Sequence, residues 1–235
     1  MENTVEALMR QYLPDLTEAQ ARRLSLYAAR LKETNEQFNL TSLTSPEEIV
    51  LLHFYDSLTL LGTGLFRPKA SVIDVGTGAG IPAFPIAACT DCAVTANDAT
   101  EKKLKFIKTV SEEAGLTNLS VLNGRAEELG KWASHRECYD IAVSRGVARL
   151  NILCEWAVPF VRVGGHFIAM KGSSGNEELA EAENAVRTLG GKVVSAETLD
   201  IPLFERKHML IVIRKERPTD AAYPRPNGRI KKKPL

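Results

Sequence analysis

The stretch Val72 to Pro82, VIDVGTGAGIP, joins a strand-like apolar run to three glycines at alternate positions. Gly76, Gly78 and Gly80 would permit a tight turn and let a ligand approach the backbone without a Cβ in the way. In an open parallel sheet the first strand-to-helix turn faces the crevice where ligands bind, so this pattern predicts a nucleotide-like ligand. Pro82 suits the first turn of the helix that should follow.

Two aspartates extend this pattern. Asp74 precedes the first glycine by two residues, and Asp98 closes the next strand, 18 residues after Gly80. A carboxylate at that second position can accept hydrogen bonds from both hydroxyls of a ribose. The dinucleotide fingerprint G-x-G-x-x-G is not met, because Ile81 stands at the third glycine position. This disfavours a pyrophosphate ligand and makes a nicotinamide-dependent oxidoreductase the weaker alternative.

The cysteines and histidines do not predict a metal site. Cys89 and Cys92 form a C-x-x-C, but no second pair follows at the spacing that a structural zinc site needs. We expect this pair to mark a helix end and a strand start. His135, His166 and His208 also lack metal-ligand spacing, and four cysteines are too few and too scattered for a disulfide framework.

The elements that must position these residues follow from the hydrophobic periodicity. Up to about Phe66 the pattern is helical, with capping boxes at residues 17–20 and 45–48. From Ala70 seven apolar runs predict strands: VIDV, AVTAN, LSVLN, YDIAVS, HFIAMK, KVVSAETL and HMLIVIRK. Helical segments separate the first six of them, starting near Ile81, Thr100, Ala126, Leu150 and Gly175.

This alternation predicts an α/β fold, a mostly parallel seven-stranded sheet with helices on both faces. Only IPLFERK separates the last two runs, too short for a crossover helix, so the last strand should be antiparallel. We expect an N-terminal helical extension over residues 1–66, the α/β core over 67–216 and a tail over 217–235. The chain lacks a long apolar segment and a lysine-led leader, which favours a cytoplasmic location.

The C-terminal segment is strongly basic. Residues 203–235 hold ten Lys or Arg against three Asp or Glu, whereas the whole chain has a net charge of +1. Four prolines in the last 19 residues favour an extended or loosely ordered tail. Clustered cations gain affinity for a phosphate backbone by counterion release, which predicts nucleic-acid binding; a solvated tail without a partner is the alternative. We expect removal of the tail to leave cofactor affinity intact. The cations concerned are Arg225, Arg229, Lys231, Lys232 and Lys233.

The motif Asp-x-Gly-x-Gly-x-Gly, followed by an acid after the second strand, resembles the Rossmann-like S-adenosylmethionine-dependent methyltransferases. Longer blocks are similar to the bacterial ribosomal RNA small-subunit methyltransferase G family, also called glucose-inhibited division protein B. They occur in family order from Phe38 to the C-terminus: FNLTSLTSPEEIVLLHFYDSLTLL, DVGTGAGIP, NGRAEEL, SRGVARL, MKG and RKH…RPT…YPR…KKKPL.

The resemblance implies methylation of N7 of one guanine in 16S ribosomal RNA, with S-adenosylmethionine as cofactor. The implied partner is 16S ribosomal RNA, free or in an assembling small subunit. Two positions depart from the family pattern: Gly146 stands where alanine is usual, and Asn97 replaces an apolar residue before Asp98. The implied cofactor contacts are Gly76, Ile81, Ala126, Glu127 and Arg145, which join Gly78 and Asp98 from the loop pattern.

Methylation at N7 needs alignment more than a general base, because this nitrogen carries a lone pair and no proton at neutral pH. The sequence therefore does not identify a catalytic residue. His53, Asp56 and Ser57 are candidates for shaping the guanine pocket, with a polar helix-capping cluster as the alternative. Lys171, like Arg145, lies at a predicted strand end and could hold the cofactor or an RNA phosphate, or be a surface charge.

A non-catalytic RNA-binding or ribosome-assembly protein on the same fold is a second hypothesis for function. The intact glycine loop and Asp98 disfavour it, since such a protein has no need of a cofactor site.

Overall fold

A computed structural model of the chain describes residues 4–37, 40–205 and 207–235. Within these ranges seven strands form one sheet in the order β3-β2-β1-β4-β5-β7-β6. Strands β1 to β5 pair in parallel, and β7 runs antiparallel to both of its neighbours. The predicted α/β sheet and its antiparallel last strand are confirmed. The strands are β1 Ser71–Val75, β2 Ala93–Asp98, β3 Leu119–Asn123, β4 Tyr139–Arg145, β5 Val161–Lys171, β6 Gly191–Asp200 and β7 Lys207–Lys215.

Before β1 the chain is helical, as the periodicity predicts. Thr17 and Gln20 form the expected capping box, in which Gln20 N donates to Thr17 Oγ1 at 3.3 Å and Thr17 N to Gln20 Oε1 at 2.9 Å. The second capping box opens a wider helix than expected, a π-helix at Glu48–Tyr55. The other helices here are α1 Thr4–Tyr12, α2 Glu18–Asn35, α3 Asp56–Leu58 and a 3₁₀ turn at Thr59–Thr63.

Helices cover both faces of the sheet. Alternate residues of β1 point to opposite sides, so Val72 joins one hydrophobic cluster and Ile73 the other. Pro82 occupies the N-cap of α4, one position earlier than predicted. The helices are α4 Ala83–Cys89, α5 Glu101–Glu113, α6 Ala126–Leu129, α7 Leu150–Ala157, α8 Gly175–Glu181 and α9 Glu183–Thr188.

The N-terminal helices and the sheet share a hydrophobic core. Tyr27 of α2 is fully buried, and the centroid of its ring lies 4.6 Å from that of the Phe84 ring in α4. Its hydroxyl donates to the carbonyl of Ala79, in the loop that follows β1, at 2.8 Å. The predicted N-terminal extension therefore helps to support the loop on which the candidate site depends.

The C-terminal segment is packed, so the expectation of a loosely ordered tail is wrong. Arg136 donates hydrogen bonds to the carbonyls of Thr219 and Tyr223 at 2.7 and 2.8 Å. A final helix, α10 Asn227–Lys232, buries Ile230 in the hydrophobic cluster that contains α7. The sequence pattern missed this because the apolar anchors, Tyr223, Ile230 and Leu235, are isolated among prolines and cations.

None of the helices in the described ranges is long and apolar enough to span a membrane.

Candidate functional site

The loop after β1 turns on three glycines. Gly76, Gly78 and Gly80 have φ angles of +76°, +61° and +99°, which residues with a Cβ rarely adopt. The N–H groups of Gly76 and Thr77 both donate to the carbonyl of Asn97 at 2.9 Å, which ties the loop to the end of β2. The tight turn predicted from the glycine spacing is present.

Asp74 supports this loop from within the core. Its Oδ2 accepts hydrogen bonds from Thr77 Oγ1 at 2.6 Å and from the backbone N–H of Ala83 at 3.1 Å. The side chain is fully buried, and burial raises its pKa to about 7. Asp74 thus joins the glycine loop to the start of α4 and does not line a cleft.

Asp98 reaches the loop from the end of β2. Its Oδ2 accepts the N–H of Gly78 at 3.1 Å, and its Oδ1 accepts that of Thr100 at 2.8 Å. Each carboxylate oxygen can accept a further hydrogen bond, so the group keeps capacity for a ligand. Lys103 lies 4.0 Å away, at the distance limit for an ion pair.

A cleft of about 410 Å³ opens at the carboxyl ends of β1, β2 and β4. Open α/β sheets bind ligands at this edge. All of the residues predicted to contact a cofactor line the cleft, and their role in binding remains a prediction. They are Gly76, Gly78, Ile81, Asp98, Ala126, Glu127 and Arg145.

Glu127 shows how the short helix α6 fixes one wall. Its side chain is largely buried, and its Oε1 accepts a hydrogen bond from Arg125 Nε at 2.5 Å. Arg125 is half exposed and immediately precedes Ala126, the first residue of α6. The wall therefore carries a carboxylate whose charge is balanced within the chain.

The two departures from the family pattern have structural consequences. The side-chain amide of Asn97 donates to the carbonyls of Leu122 and Gly124, each at 3.0 Å, and so joins the ends of β2 and β3. Gly146 lines the cleft with a φ of +63°, a conformation that an alanine would adopt only with strain. The turn at this position therefore favours a glycine.

Arg145 and His53 form the opposite wall. Arg145 donates from Nη1 to the carbonyl of Leu52, in the π-helix, and its Nη2 lies 3.1 Å from Nδ1 of His53. Arginine has no acceptor, so His53 accepts through Nδ1 and carries its proton on Nε2, 3.4 Å from Thr41 Oγ1. Burial, with the charge of Arg145, lowers the pKa of His53 to about 3. The imidazole is neutral at neutral pH.

The other two candidates for the guanine pocket lie behind this wall. Asp56 is fully buried, and its two oxygens lie 3.1 Å from Nη1 of Arg145 and 2.8 Å from Nδ1 of His208. Ser57 donates its hydroxyl to the backbone carbonyl of His53 at 2.5 Å and does not line the cleft. Of the three, only His53 borders this cleft, and a role for any of them in the guanine pocket stays a prediction.

His208 connects the site to a second cleft of about 570 Å³. This cleft lies at the same edge of the sheet, because Lys171 at the end of β5 pairs with Met209 near the start of β7. Lys207 and Asn176 supply hydrogen-bond donors there, and Glu205 supplies a carboxylate. The sequence did not predict the link between the clefts, since Asp56 and His208 lie on distant segments.

Trp156 is a residue of the cofactor cleft that the sequence analysis missed. It belongs to α7, where an apolar helical pattern reads as core, and it is 8% exposed. Its indole Nε1 is buried and has no hydrogen-bond partner among the described residues. Lys231 of α10 lies over the ring, 5.8 Å from its centroid. A tryptophan among the apolar residues of this helix was the available signal.

Two of the cations predicted to bind RNA are already paired inside the protein. Lys171 is 6% exposed, and its Nζ lies 2.7 Å from Glu178 Oε2 and 2.6 Å from the carbonyl of Ala148. Arg225 forms a bidentate ion pair with Glu155, which is fully buried in α7. A phosphate contact would require these pairs to open. The remaining predicted cations are exposed: Arg229, Lys231, Lys232 and Lys233.

The cysteines occupy the positions expected of structural residues. Cys89 ends α4 and Cys92 precedes β2, and burial raises the pKa of Cys89 and of Cys154 to about 12. In the described ranges no three His, Cys, Asp or Glu side chains form a group that could hold a metal ion. Phe38 and Asn39, which open the first family block, and Arg206 of RKH lie outside the described residues.

Comparison with known proteins gives a consistent match. A family model described as GidB, rRNA small subunit methyltransferase G, matches residues 20–209. The Ribosomal RNA small subunit methyltransferase G of Alkaliphilus metalliredigens is 42% identical over 217 residues, 92% of this chain and 91% of that protein. The protein of the same name from Lactobacillus acidophilus is 38% identical over 224 residues, 94% of this chain and 93% of that protein.

Solved structures share the fold at low sequence identity. TYW2 of P. horikoshii, solved in complex with MeSAdo, superposes with a TM-score of 0.56 at 16% identity, covering 72% of this chain and 63% of that one. The Methanococcus jannaschii fibrillarin pre-rRNA processing protein gives a TM-score of 0.52 at 17% identity, covering 65% and 70%. At these identities the likeness concerns the fold alone.

Proposed function

This chain belongs to the rRNA small subunit methyltransferase G family, and from that premise we propose that it transfers a methyl group from S-adenosylmethionine to N7 of a guanine in 16S ribosomal RNA. One observation carries the proposal. The cleft at the carboxyl ends of β1, β2 and β4 gathers every residue that the glycine pattern and the family resemblance assign to the cofactor. Its volume of about 410 Å³ suits a ligand of this size.

The residues of the cleft fit this cofactor. A Cβ on Gly78 would meet no heavy atom within 4 Å, so the backbone there borders open space that a ligand can fill. Asp98 offers carboxylate lone pairs to the two ribose hydroxyls, beyond the two backbone N–H groups that it already accepts. The buried N–H of Trp156 is a donor without a partner in the described part of the chain, and it lies in the wall of this cleft.

When bound, S-adenosylmethionine supplies an electrophilic methyl group on a sulfonium. Transfer breaks the carbon–sulfur bond, forms the bond to N7, and moves the positive charge onto the guanine ring without releasing a proton. The protein therefore has to align the base and exclude water, and needs no general base.

His53 suits the wall nearest the base. Because its pKa is about 3, the ring stays neutral at neutral pH and does not place a further cation beside the methylated guanine. Arg145 does carry a charge, and the buried carboxylate of Asp56 balances it at 3.1 Å. We place the guanine against His53, at the side of the cleft toward His208 and the second cleft.

The test is methyl transfer to 16S ribosomal RNA from cells that lack this protein. Incubation with labelled S-adenosylmethionine should introduce one methyl group, which N7-specific cleavage and primer extension should locate at a single guanine. The same reaction on small subunits and on assembly intermediates identifies the form of RNA that is accepted. Binding to all of these RNAs without methyl transfer would refute the proposal and favour an assembly protein.

A further inference from the structure

Trp132 presents an unusually large apolar surface to solvent. It follows α6 and is 55% exposed, whereas Trp156, the other tryptophan of the chain, is 8% exposed. The His135 ring lies on one side of the indole, with centroids 6.3 Å apart, and stacks in turn on Tyr139 at 6.2 Å. This row of rings supports the indole from one side and leaves most of it open.

A cleft of about 710 Å³ lies beside the indole. Its walls include Arg125, Lys131, Trp132 and, from the C-terminal segment, Asn227. Arg125 also lines the cofactor cleft, so the two clefts are neighbours. The side-chain oxygen of Asn227 is buried and accepts no hydrogen bond from the described residues. A ligand N–H entering this cleft would supply the missing donor.

Helix α10 places several cations beside this cleft, whose own walls carry the acids Glu127 and Glu128 as well as Arg125 and Lys131. Helix α10 starts at Asn227 and, with six residues, is about 9 Å long. Residues 225–235 contain no acid, and α10 and its C-cap expose Arg229, Lys231, Lys232 and Lys233. Lys231 lies over the ring of Trp156, which lines the cofactor cleft. The cations of α10 therefore extend from the cleft beside Trp132 toward the cofactor cleft. Glu127, the buried acid between the clefts, is already paired with Arg125.

We propose that Trp132 stacks on an unpaired base of the RNA substrate, while α10 contacts the adjoining phosphates and Asn227 accepts a hydrogen bond from the base edge. This rests on the proposed function, since the RNA is the methyl acceptor. An exposed aromatic ring next to clustered cations is how proteins hold single-stranded RNA, because every base has a face that stacks and a phosphate that attracts cations. The stacked base lies outside the cofactor cleft and differs from the methylated guanine.

The first test uses tryptophan fluorescence, which reports on binding without turnover. Acrylamide, a neutral quencher, should reach Trp132 and leave Trp156 largely protected. Adding 16S ribosomal RNA from cells that lack the protein should protect the quenchable emission. The Trp132→Ala variant should lack that emission from the start. The RNA is added in the form that accepts the methyl group, and equal quenching with and without that bound RNA would overturn the proposal.

The second test separates stacking from folding and from catalysis. Trp132→Ala should raise KM for RNA roughly tenfold, the effect of losing one base–aromatic contact, with kcat and cofactor affinity unchanged. Trp132→Phe keeps a ring and should restore most of the affinity. Val194→Ala is the matched control, because Val194 is 50% exposed on β6, at the opposite end of the sheet from β3 and α6. An unchanged KM for Trp132→Ala would overturn the proposal.

The two tests also distinguish this proposal from the proposed function. RNA that protects Trp132 but receives no methyl group would refute the methyltransferase and keep the stacking site. Methyl transfer with the same KM in all three variants would refute the stacking site and keep the methyltransferase.

Discussion

Asp56 and Arg145 form a buried ion pair in which carboxylate and guanidinium lie 3.1 Å apart, although 89 residues separate them in the sequence. Asp56 also lies 2.8 Å from His208, which lines the second cleft. The carboxylate of Asp56 thus lies between Arg145, in the wall of the cofactor cleft, and His208, in the wall of the second cleft. This arrangement gives Asp56 a positioning role in the proposed reaction.

Asp56→Asn keeps the shape of the side chain and removes its charge. Arg145 would then be partly buried without a counter-charge, so we expect the free energy of unfolding to fall by about 3 kcal/mol. Cofactor Kd and RNA KM should both rise, because the two clefts share this group. Urea unfolding, calorimetry and steady-state kinetics measure these effects. Glu18→Gln, in a solvent-exposed ion pair with Arg22, is the control and should change none of them. Wild-type affinities in Asp56→Asn would remove the positioning role.

Gly78→Ala tests whether the cofactor lies against the glycine loop. Gly76 suits this test less well, since a Cβ there would lie 2.7 Å from Val147 and would disturb packing as well as binding. Gly64 provides a matched control: it has a φ of +69°, its Cβ position is equally open, and it does not line the cleft. Both variants should lose about 1 to 2 kcal/mol of stability from backbone strain. Cofactor affinity should fall more than tenfold in Gly78→Ala alone, and equal affinities would place the ligand elsewhere.

His53 should make the protein sensitive to acid. Its pKa is about 3 in the folded state, whereas a histidine in an unfolded chain titrates near 6.5. As the pH falls below about 6.5 the unfolded state takes up this proton first, so stability declines toward pH 3. His53→Gln should flatten this decline by up to about 1.4 kcal/mol per pH unit. Denaturant unfolding between pH 4 and 7 measures it, and parallel curves for variant and wild type would contradict the expectation.

Asp74 should have the opposite effect on stability. Burial raises its pKa to about 7, so between pH 4 and 7 the folded state holds a proton that the unfolded state has lost. Its contribution is fully present below about pH 4 and is lost as the pH rises through 7. Asp74→Asn should remove this loss. The free energy of unfolding at pH 8, relative to that at pH 5, should therefore be higher in the variant than in the wild type. The comparison concerns the pH dependence alone, because the amide also changes the hydrogen bonds to Thr77 and Ala83.

Arg225 should stabilise the fold, and the exposed cations of α10 should bind RNA. Arg225→Met leaves the buried Glu155 without a counter-charge and with only the backbone N–H of residue 225 as a donor, so we expect a loss of about 3 kcal/mol, largely recovered in the double variant with Glu155→Met. Lys232→Ala should leave stability unchanged. It should make the slope of log affinity for RNA against log salt shallower by about 0.7 to 0.9. If Arg225→Met changed only the salt slope and Lys232→Ala lowered only the stability, both assignments would be wrong.

Truncation after Ala222 now has a different expected outcome from the one based on sequence. It removes the partner of Glu155 and the lysine that lies over Trp156 in the wall of the cofactor cleft. Cofactor affinity and stability should therefore fall together.

Local sequence patterns were sufficient to predict the sheet and the glycine loop. Strand alternation, the capping box at Thr17 and the spacing of Gly76 to Asp98 depend on neighbouring residues, and each appears where it was predicted. The family resemblance is confirmed over most of the chain, as it rests on blocks spread from Phe38 to the C-terminus.

Local patterns could not predict contacts between segments that are far apart in the sequence. A buried acid such as Glu155 has the same sequence signature as an exposed one, so nothing indicated that Arg225 would be paired rather than free. The ion pair of Lys171 was missed for the same reason, because Glu178 reaches it only after the turn that follows β5. In the sequence Ser57 is as polar as His53. Its hydroxyl donates to the backbone carbonyl of His53 because the helix brings these two groups together.

The position of β7 has a consequence for the order in which the protein can become active during its own synthesis. β7 is made after the other six strands of the described sheet, yet it inserts between β5 and β6 and carries His208 to Asp56. Until then the edge of β5 that pairs with β7 is an unpaired template for aggregation. The nascent chain can form β1 to β4 and the glycine loop first, but the contact between Asp56 and His208 has to wait for residues 207–215. In a chain of this design the cofactor cleft can form before the wall that separates it from the second cleft.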